Sequence, residues 1–390
     1  MIPYGRQDIS QEDINAVIDV LKSDFLTQGP VVPAFEKAVS DYCKAKHAFA
    51  VNSATSALHI ACLALGVRKG DLVWTSPITF VASANCALYC GADIDFVDID
   101  PATYNMSVKA LEEKLIIANQ LGRLPKVLIP VHLAGQSCEM DKINELSKKY
   151  GFRIIEDASH AIGGKYKKKA IGGCQYSDIT IFSFHPVKII TTGEGGMCLT
   201  NDSQLAISLN RYRSHGIVRQ ASEMTHMPDG PWYYQQIDLG YNYRMTDIQA
   251  ALGLSQMNRL DDFVAARHAV AKRYNDLLNE DWLELPWQHP DTYSGLHLYI
   301  IRVKKNKQGI THRQLFEKLR TAGILVNLHY IPIYRHPYYE VIGYDKQEFP
   351  QAESYYSEAI SIPMFAILNE SEQQFVVDAI LKPSGHQNLF

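Results

Sequence analysis

Nowhere in its 390 residues does the chain hold an apolar run of about 18 residues, the length a membrane-spanning helix needs. The opening MIPYGRQDIS carries charge almost at once and lacks the apolar core of a signal peptide, which predicts a soluble, unexported, cytoplasmic protein. Cysteine is sparse. The seven, at 43, 62, 86, 90, 138, 174 and 198, form no C-x-x-C pair and no Cys/His spacing of a zinc site. They read as reduced core residues, and no metal is expected. Nor is one sign of charge in excess: 38 Lys and Arg against 42 Asp and Glu leave a net charge of −4, with no bulk attraction for nucleic acid or an anionic membrane. An anionic ligand must be held locally. No internal repeat or low-complexity tract occurs.

What is present is a chain rich enough in apolar residues, at 46%, to build a large core, and long enough for two lobes. Ser10-Gln11-Glu12-Asp13 has the form of a capping box. The Ile14, Val17, Ile18, Leu21 spacing after it predicts a helix from Gln11 with those four side chains on one apolar face. From there to about residue 200, short apolar runs (AFAVN, LVWTS, DIDFVDI, KVLIPV, FRIIE, DITIFSF, MCLT) alternate with helical patterns. Such alternation predicts an α/β fold with a mostly parallel seven-stranded sheet covered on both faces. One long helical pattern runs from Met245 to about Leu278, and LPWQHP follows as a boundary segment. HLYIIRV, a helix near His312 to Ala322, ILVNL and a helix after Asn369 then describe a smaller C-terminal α+β domain. The expected division is 1–260 for the large domain, with an N-terminal arm, and 261–390 for the small one. PSGHQNLF at the end reads as a loose tail.

Ligands on such sheets lie beyond the carboxyl ends of the strands. After AFAVN comes Ser53-Ala54-Thr55-Ser56, which opens a helix whose free N–H groups suit a phosphate, or which is simply capped by Ser53. After FRIIE comes Asp157, a carboxylate or an ordinary turn residue. After DITIFSF come His185, which reads as structural, and Lys188, ahead of the Gly193 to Gly196 turn. Lysine is normally solvated. A phosphate cradle, a carboxylate and a lysine on three strand ends of one sheet nevertheless match the needs of pyridoxal 5'-phosphate. The lysine amine forms a Schiff base with the aldehyde, and the carboxylate keeps the pyridine nitrogen protonated. Once displaced, Lys188 can carry the substrate proton.

In order, LTQGP, NSATSAL, SPITFVASAN, EDASHAIGG, SFHPVKIITTGEGG, RSHG and GYNYRMTDIQAALGLSQ resemble the DegT-type sugar-nucleotide aminotransferases, a branch of the fold type I pyridoxal phosphate enzymes. The resemblance runs from about Pro3 to Pro363. It implies Lys188 as the Schiff-base lysine, Ser183 as a phosphate ligand, Asp157 on the pyridine nitrogen and His160 against the phenolic oxygen. It further implies Phe80 stacked on the ring, Ala54 and Thr55 as the phosphate cradle, and Asn242 reaching the phosphate from a second subunit of a homodimer. Core, turn and structural roles stay open for Phe80, Asn242 and His160.

PVKIITTGEGG, LTQGP, NSATSAL and VNLHYIPIY look most like the transaminases of pseudaminic acid synthesis. That likeness implies transfer of the amino group of L-glutamate to C4 of a UDP-4-keto-2-acetamido-2,6-dideoxy-L-hexose. It also implies a sugar-nucleotide cleft lined by Tyr4, by Asp24, Phe25, Leu26 and Thr27, and by Asn327, Leu328, His329 and Tyr330. A departure is the connection RQASEMTHMPDGPWYYQQID between RSHG and GYNYRM. The run Lys165, Lys167, Lys168, Lys169 reads as a solvated hairpin turn. The alternatives are another UDP- or dTDP-keto sugar, a non-catalytic cofactor-binding sensor, or a nicotinamide-dependent sugar-nucleotide reductase or dehydratase. The last needs a glycine-rich turn after its first strand, and SATS has no glycine there.

Overall fold

The computed structural model describes residues 1–304 and 309–382; the tail read as loose, 383–390, lies outside the described residues. At the centre is a seven-stranded sheet. Its strands lie in the order His47–Val51, Gly196–Thr200, Ile179–Ser183, Arg153–Asp157, Val127–Ile129, Leu72–Thr75, Asp93–Phe96. Only Gly196–Thr200 runs antiparallel to its neighbours. Each apolar run of the first half is therefore a strand of one sheet. Continuous apolar sequence makes sense because helices cover both faces and successive residues bury into opposite cores. Ile155 and Ile181 pack on one side, and Ile154 and Phe182 on the other.

The helix Gln11–Leu21 starts where expected, with the capping box of Ser10 and Asp13 formed. Its orientation differs from the expectation: Ile14, Ile18 and Leu21 are exposed, while Asp13 is fully buried. The reason is ionic. The Asp13 carboxylate takes hydrogen bonds from Ser255 Oγ, Gln256 Nε2 and Arg259 Nη2, which fix that side of the helix inward. The long pattern from Met245 is also two helices, Asp247–Met257 and Leu260–Leu277. The break falls at Asn258 and Arg259, where Arg259 pairs with Asp8 and Asp13.

The helix Val31–Cys43 lacks a side-chain cap of its own. Asp247, buried and more than two hundred residues away, accepts from the N–H groups of Gly29, Val31 and Val32 instead. The C-terminal part carries a three-stranded sheet of Leu283–Glu284, Tyr299–Val303 and Ala359–Ile362 with helices His312–Thr321 and Glu370–Leu381. Two other features tie the halves together. Ile2–Pro3 pairs with Ile324–Leu325. The helix Leu260–Leu277 packs its start, Leu260 and Val264, on the central sheet's core and its end, Val270 and Tyr274, on the C-terminal core. No helix among the described residues is long and apolar enough to cross a membrane.

Asp247→Ala strands three N–H groups, and a loss of roughly 2–5 kcal/mol is expected as a lower urea midpoint. An unchanged midpoint would show that the remote cap is dispensable. A pH dependence follows from Asp13. Burial pushes its carboxyl up, but the bonds from Ser255, Ser10 and Gln256 and the Arg259 charge hold it below its ordinary value. A lowered folded pKa gives stability that is present above the unfolded value and lost as pH falls through the folded one. Acid unfolding of Asp13→Asn should therefore show a shallower loss of stability than wild type below about pH 4.

Candidate active site

The site grows from the carboxyl edge of the sheet. Strands Arg153–Asp157 and Ile179–Ser183 pair in parallel with Asp157 opposite Ile181. Beyond Ser183 the chain loops back on itself. Phe184 N–H donates to Gly195 O at 2.9 Å, Thr192 N–H donates to Phe184 O at 3.0 Å, and Gln256 Oε1 holds Thr191 N–H at 3.1 Å. The loop returns Lys188 over the strand ends.

Ser183 stands opposite Gly196, and Gly196 abuts the start of the helix Ala54–Ala64. A Cβ on Gly196 would lie 2.6 Å from Ala54 N. Glycine at 196 lets the helix terminus, with the N–H groups of Ala54 and Thr55, approach the strand that ends in Ser183. Ser53 caps the helix by accepting from Ser56 N–H, so the bland reading of Ser53 holds while Ala54 and Thr55 remain free for an anion. The Ser183 hydroxyl has no hydrogen-bond partner among the described residues.

Asp157 is 4% exposed. Its Oδ2 accepts from Ser83 Oγ at 2.7 Å, and its Oδ1 from Ser159 Oγ at 2.6 Å and Ser159 N–H at 3.1 Å. Those bonds fix the carboxylate, yet no cation pairs with it among the described ion pairs. Lys188 is partly exposed, and its Nζ lies 3.5 Å from His297 Nε2. Desolvation pushes its amine down to about 8, with the Asp157 charge opposing.

Three buried histidines surround that amine. His160 Nδ1 accepts from Ala134 N–H at 3.3 Å, so its one proton sits on Nε2 and is donated to Tyr330 Oη at 3.1 Å. Burial, then Lys188 and His329, keep His160 well below its ordinary pKa. His329 Nδ1 meets Ser361 Oγ at 2.8 Å, and burial followed by Lys188 pushes its pKa down to about 3. His297, 3% exposed, packs its ring 4.4 Å from that of His160 and leaves Nδ1 buried without a partner among the described residues. At physiological pH all three are neutral imidazoles.

Phe80 is 57% exposed, which removes the core reading; its ring lies 6.2 Å from that of Tyr330. Tyr4 packs its ring 4.9 Å from His329. The structure thus gathers Lys188, Asp157, His160, Phe80, Tyr4, His329 and Tyr330 at one place, beside the edge that carries Ser183, Ala54 and Thr55. Asn327 is exposed and contacts His329 Nε2 at 3.5 Å through Nδ2, while Leu328 is partly exposed.

Other expected residues lie on exposed segments of the chain. Asp24, Phe25, Leu26 and Thr27 are exposed on a segment pinned to the start of the helix Asp247–Met257, with Thr27 bridged to Thr246 and Leu26 O accepting from Asp247 N–H. Asn242 is exposed too, with its backbone bridged to Ser214 and its carbonyl 3.5 Å from Asn52 Nδ2, next to the Ser53 cap. His185 sits exposed at the rim, 4.0 Å from Glu194. The Lys165 to Ala170 hairpin turn forms as expected, although Lys167 pairs with Asp141 and is not simply solvated. The connection at 219–238 folds into a short hairpin that leaves Met227 and Trp232 exposed.

Residue-by-residue reading missed His297, Ser83 and Arg267. His297 opens an apolar strand pattern, and a lone histidine there carries no signal of its own. Arg267, fully buried, donates through Nη1 to the carbonyls of Leu296, His297 and Met364 at 3.1–3.3 Å. The one available signal was a basic residue at a helical spacing otherwise filled by apolar ones.

Residues 7–381 match the model of the DegT/DnrJ/EryC1/StrS aminotransferase family. The chain is 38% identical over 383 residues to the UDP-4-amino-4,6-dideoxy-N-acetyl-beta-L-altrosamine transaminase of Campylobacter jejuni, covering 97% of this chain and 96% of that protein. Its structure superposes on Helicobacter pylori PseC, an aminotransferase involved in the biosynthesis of pseudoaminic acid, with a TM-score of 0.88 at 32% identity and 98% coverage of both chains. It also superposes on the PLP form of the putative sugar aminotransferase Spr1654 of Streptococcus pneumoniae, with a TM-score of 0.86 at 28% identity and 97% coverage of both. On the match over nearly its whole length, and on a site with the lysine and carboxylate in place, the chain belongs to the DegT/DnrJ/EryC1/StrS aminotransferase family and has the fold of its fold type I members.

Proposed function

We propose that the protein is a pyridoxal 5'-phosphate aminotransferase that moves the amino group of L-glutamate to C4 of a UDP-4-keto-2-acetamido-2,6-dideoxy-L-hexose. The carrying observation is a desolvated lysine amine beside a buried carboxylate that has no ion-pair partner among the described residues. That pair fits the cofactor from both ends: an amine for the aldehyde and an anion for a protonated ring nitrogen. The free N–H groups of Ala54 and Thr55 and the unengaged Ser183 hydroxyl suit its phosphate, and exposed Phe80 suits the ring face.

When bound, the cofactor supplies an aldehyde that carries the amino group and a ring that accepts electrons. The chain's own residues do the rest. Asp157 holds positive charge at the ring nitrogen. Lys188 Nζ takes the proton from the substrate carbon and returns it, a transfer favoured because an amine titrating near 8 is close to the working pH. His160 has one proton to give, at Nε2, and Tyr330 holds it here. Its role at the phenolic oxygen requires Tyr330 to release that hydrogen bond.

Tyr4, Asn327, Leu328, His329 and Tyr330 are assigned to the sugar-nucleotide cleft. Asp24 to Thr27 and Asn242 are assigned to the site of a second copy in a homodimer, which their exposure in the single chain supports. The exposed apolar residues Ile14, Ile18, Leu21, Phe25 and Leu26 support the same assembly, since water-facing apolar stripes call for cover. Seven free thiols suit the cytoplasm.

The test is the visible spectrum with pyridoxal phosphate, before and after L-glutamate. Wild type should absorb in the visible and bleach as 2-oxoglutarate appears; a spectrum unmoved by glutamate would overturn the transaminase reading. Lys188→Ala should lose both the absorption and roughly 10²–10⁴-fold or more of the transfer rate. Asp157→Ala should still bind the cofactor and stall at proton removal. A panel of UDP- and dTDP-linked 4-keto sugars offered to the aminated form should give fastest turnover with the UDP-linked L-hexose. Faster turnover of another sugar would replace that substrate and leave the reaction class standing.

A further inference from the structure

Of the three imidazoles around Lys188, two are fully committed elsewhere. His160 spends Nδ1 on Ala134 N–H and Nε2 on Tyr330 Oη. His329 spends Nδ1 on Ser361 Oγ and has Asn327 Nδ2 at 3.5 Å from Nε2. His297 alone points a nitrogen at the amine, with Nε2 3.5 Å from Nζ and Nδ1 buried and, among the described residues, unpartnered. Its position is not adjustable. The His297 N–H donates to Ala134 O at 2.9 Å, its carbonyl accepts from Arg267 Nη1 at 3.3 Å, and its ring leans on His160.

A neutral imidazole carries one proton, on Nδ1 or on Nε2. A proton on Nδ1 would leave a buried N–H with no acceptor, which folded proteins avoid more strictly than an under-used lone pair. A proton on Nε2 leaves only a lone pair unused at Nδ1. It also places an N–H toward Lys188 Nζ, which can accept it only as the uncharged amine. An ammonium at Lys188 demands the opposite: a lone pair at Nε2 and the stranded N–H at Nδ1. The doubly protonated ring is disfavoured by burial and by the neighbouring Lys188 and Arg267.

We propose that His297 is a positioning residue which, by presenting its Nε2–H to Nζ, holds Lys188 as the free amine and aims its lone pair. The inference rests on the reading of Lys188 as the amine that captures the cofactor. The other ionisable groups facing Lys188 are Asp157, which favours the ammonium, and His160, His329 and His185. The first two histidines are neutral and fully bonded, and His185 is at the exposed rim. His297 is the group left to offset Asp157.

The test uses cofactor-free protein, so it is independent of turnover. With ¹⁵N-histidine labelling, and His297→Phe to assign the signal, NMR should find the His297 proton on Nε2 above pH 8. The proton should shift to Nδ1 as Lys188 becomes charged on acidification. A proton on Nδ1 throughout, or a tautomer indifferent to pH and to Lys188→Met, would overturn the proposal. In parallel, competitive acetylation read on the Lys188 peptide by mass spectrometry should place the wild-type midpoint near 8. His297→Phe should raise it by about one unit, a tenfold smaller free-amine fraction at pH 7. A midpoint at or below wild type in a variant with a native near-ultraviolet spectrum would also overturn it. A protein that passes these tests yet shows no visible band with pyridoxal phosphate would instead sink the functional reading alone.

Discussion

The whole site hangs on the parallel register between Arg153–Asp157 and Ile179–Ser183. With Asp157 opposite Ile181, a carboxylate reaches the strand end just where the next strand passes into the loop that carries Lys188. The side-chain period of a strand is two, so a slip of one residue would exchange the inner and outer faces of the whole strand. The apolar neighbours forbid it: Ile154 and Ile155 fill different cores on opposite sides of the sheet. Packing of hydrocarbon therefore sets the position of a charge. The antiparallel strand at Gly196 finishes the arrangement, because its missing side chain lets the helix terminus at Ala54 approach the same edge.

Electrostatics then act on what packing has assembled. The pocket contains an unpaired carboxylate, an amine whose charge is disfavoured by burial, and three imidazoles that burial keeps neutral. Such a set has anionic character and spare acceptors, and it complements a ligand with a cationic ring nitrogen and an electrophilic carbon. Arg267 adds a fixed charge behind the histidines. Desolvation pushes its pKa down to about 10, which leaves it cationic at neutral pH, and its carbonyl partners spread that charge over the segment bearing His297 and over Met364.

Much of this was legible in the sequence, for a physical reason. Strands buried on both faces are written as largely apolar runs, so all seven could be placed, and the residues at or after their ends, Asp157 and Lys188, could be singled out. Patterning failed where polar residues took over an apolar task. The stripe Ile14, Ile18, Leu21 implied a buried face, yet Asp13 turned the helix the other way by binding Ser255, Gln256 and Arg259. Arg259 likewise broke a helical pattern that reads as continuous. His297 was invisible because its contact with Lys188 joins residues more than a hundred positions apart. Asp24 to Thr27 and Asn242 were suggested by likeness of motif, and the single chain leaves them exposed.

The origin of the groups around Lys188 carries a last consequence. Asp157 ends a strand of the central sheet and His160 follows it, whereas His297 precedes Tyr299–Val303 and His329 follows Ile324–Leu325, both in the C-terminal part. The solvation of one amine is thus decided by two cores at once. Arg267 lies midway along the helix that packs on both of them, and it binds backbone on either side of the C-terminal strands, at Leu296 and at Met364. A shift of the C-terminal sheet away from the central one would admit water to Nζ and withdraw two of the three imidazoles together. The helix Leu260–Leu277, with one buried arginine, therefore couples the packing of the two cores to the charge on a single nitrogen.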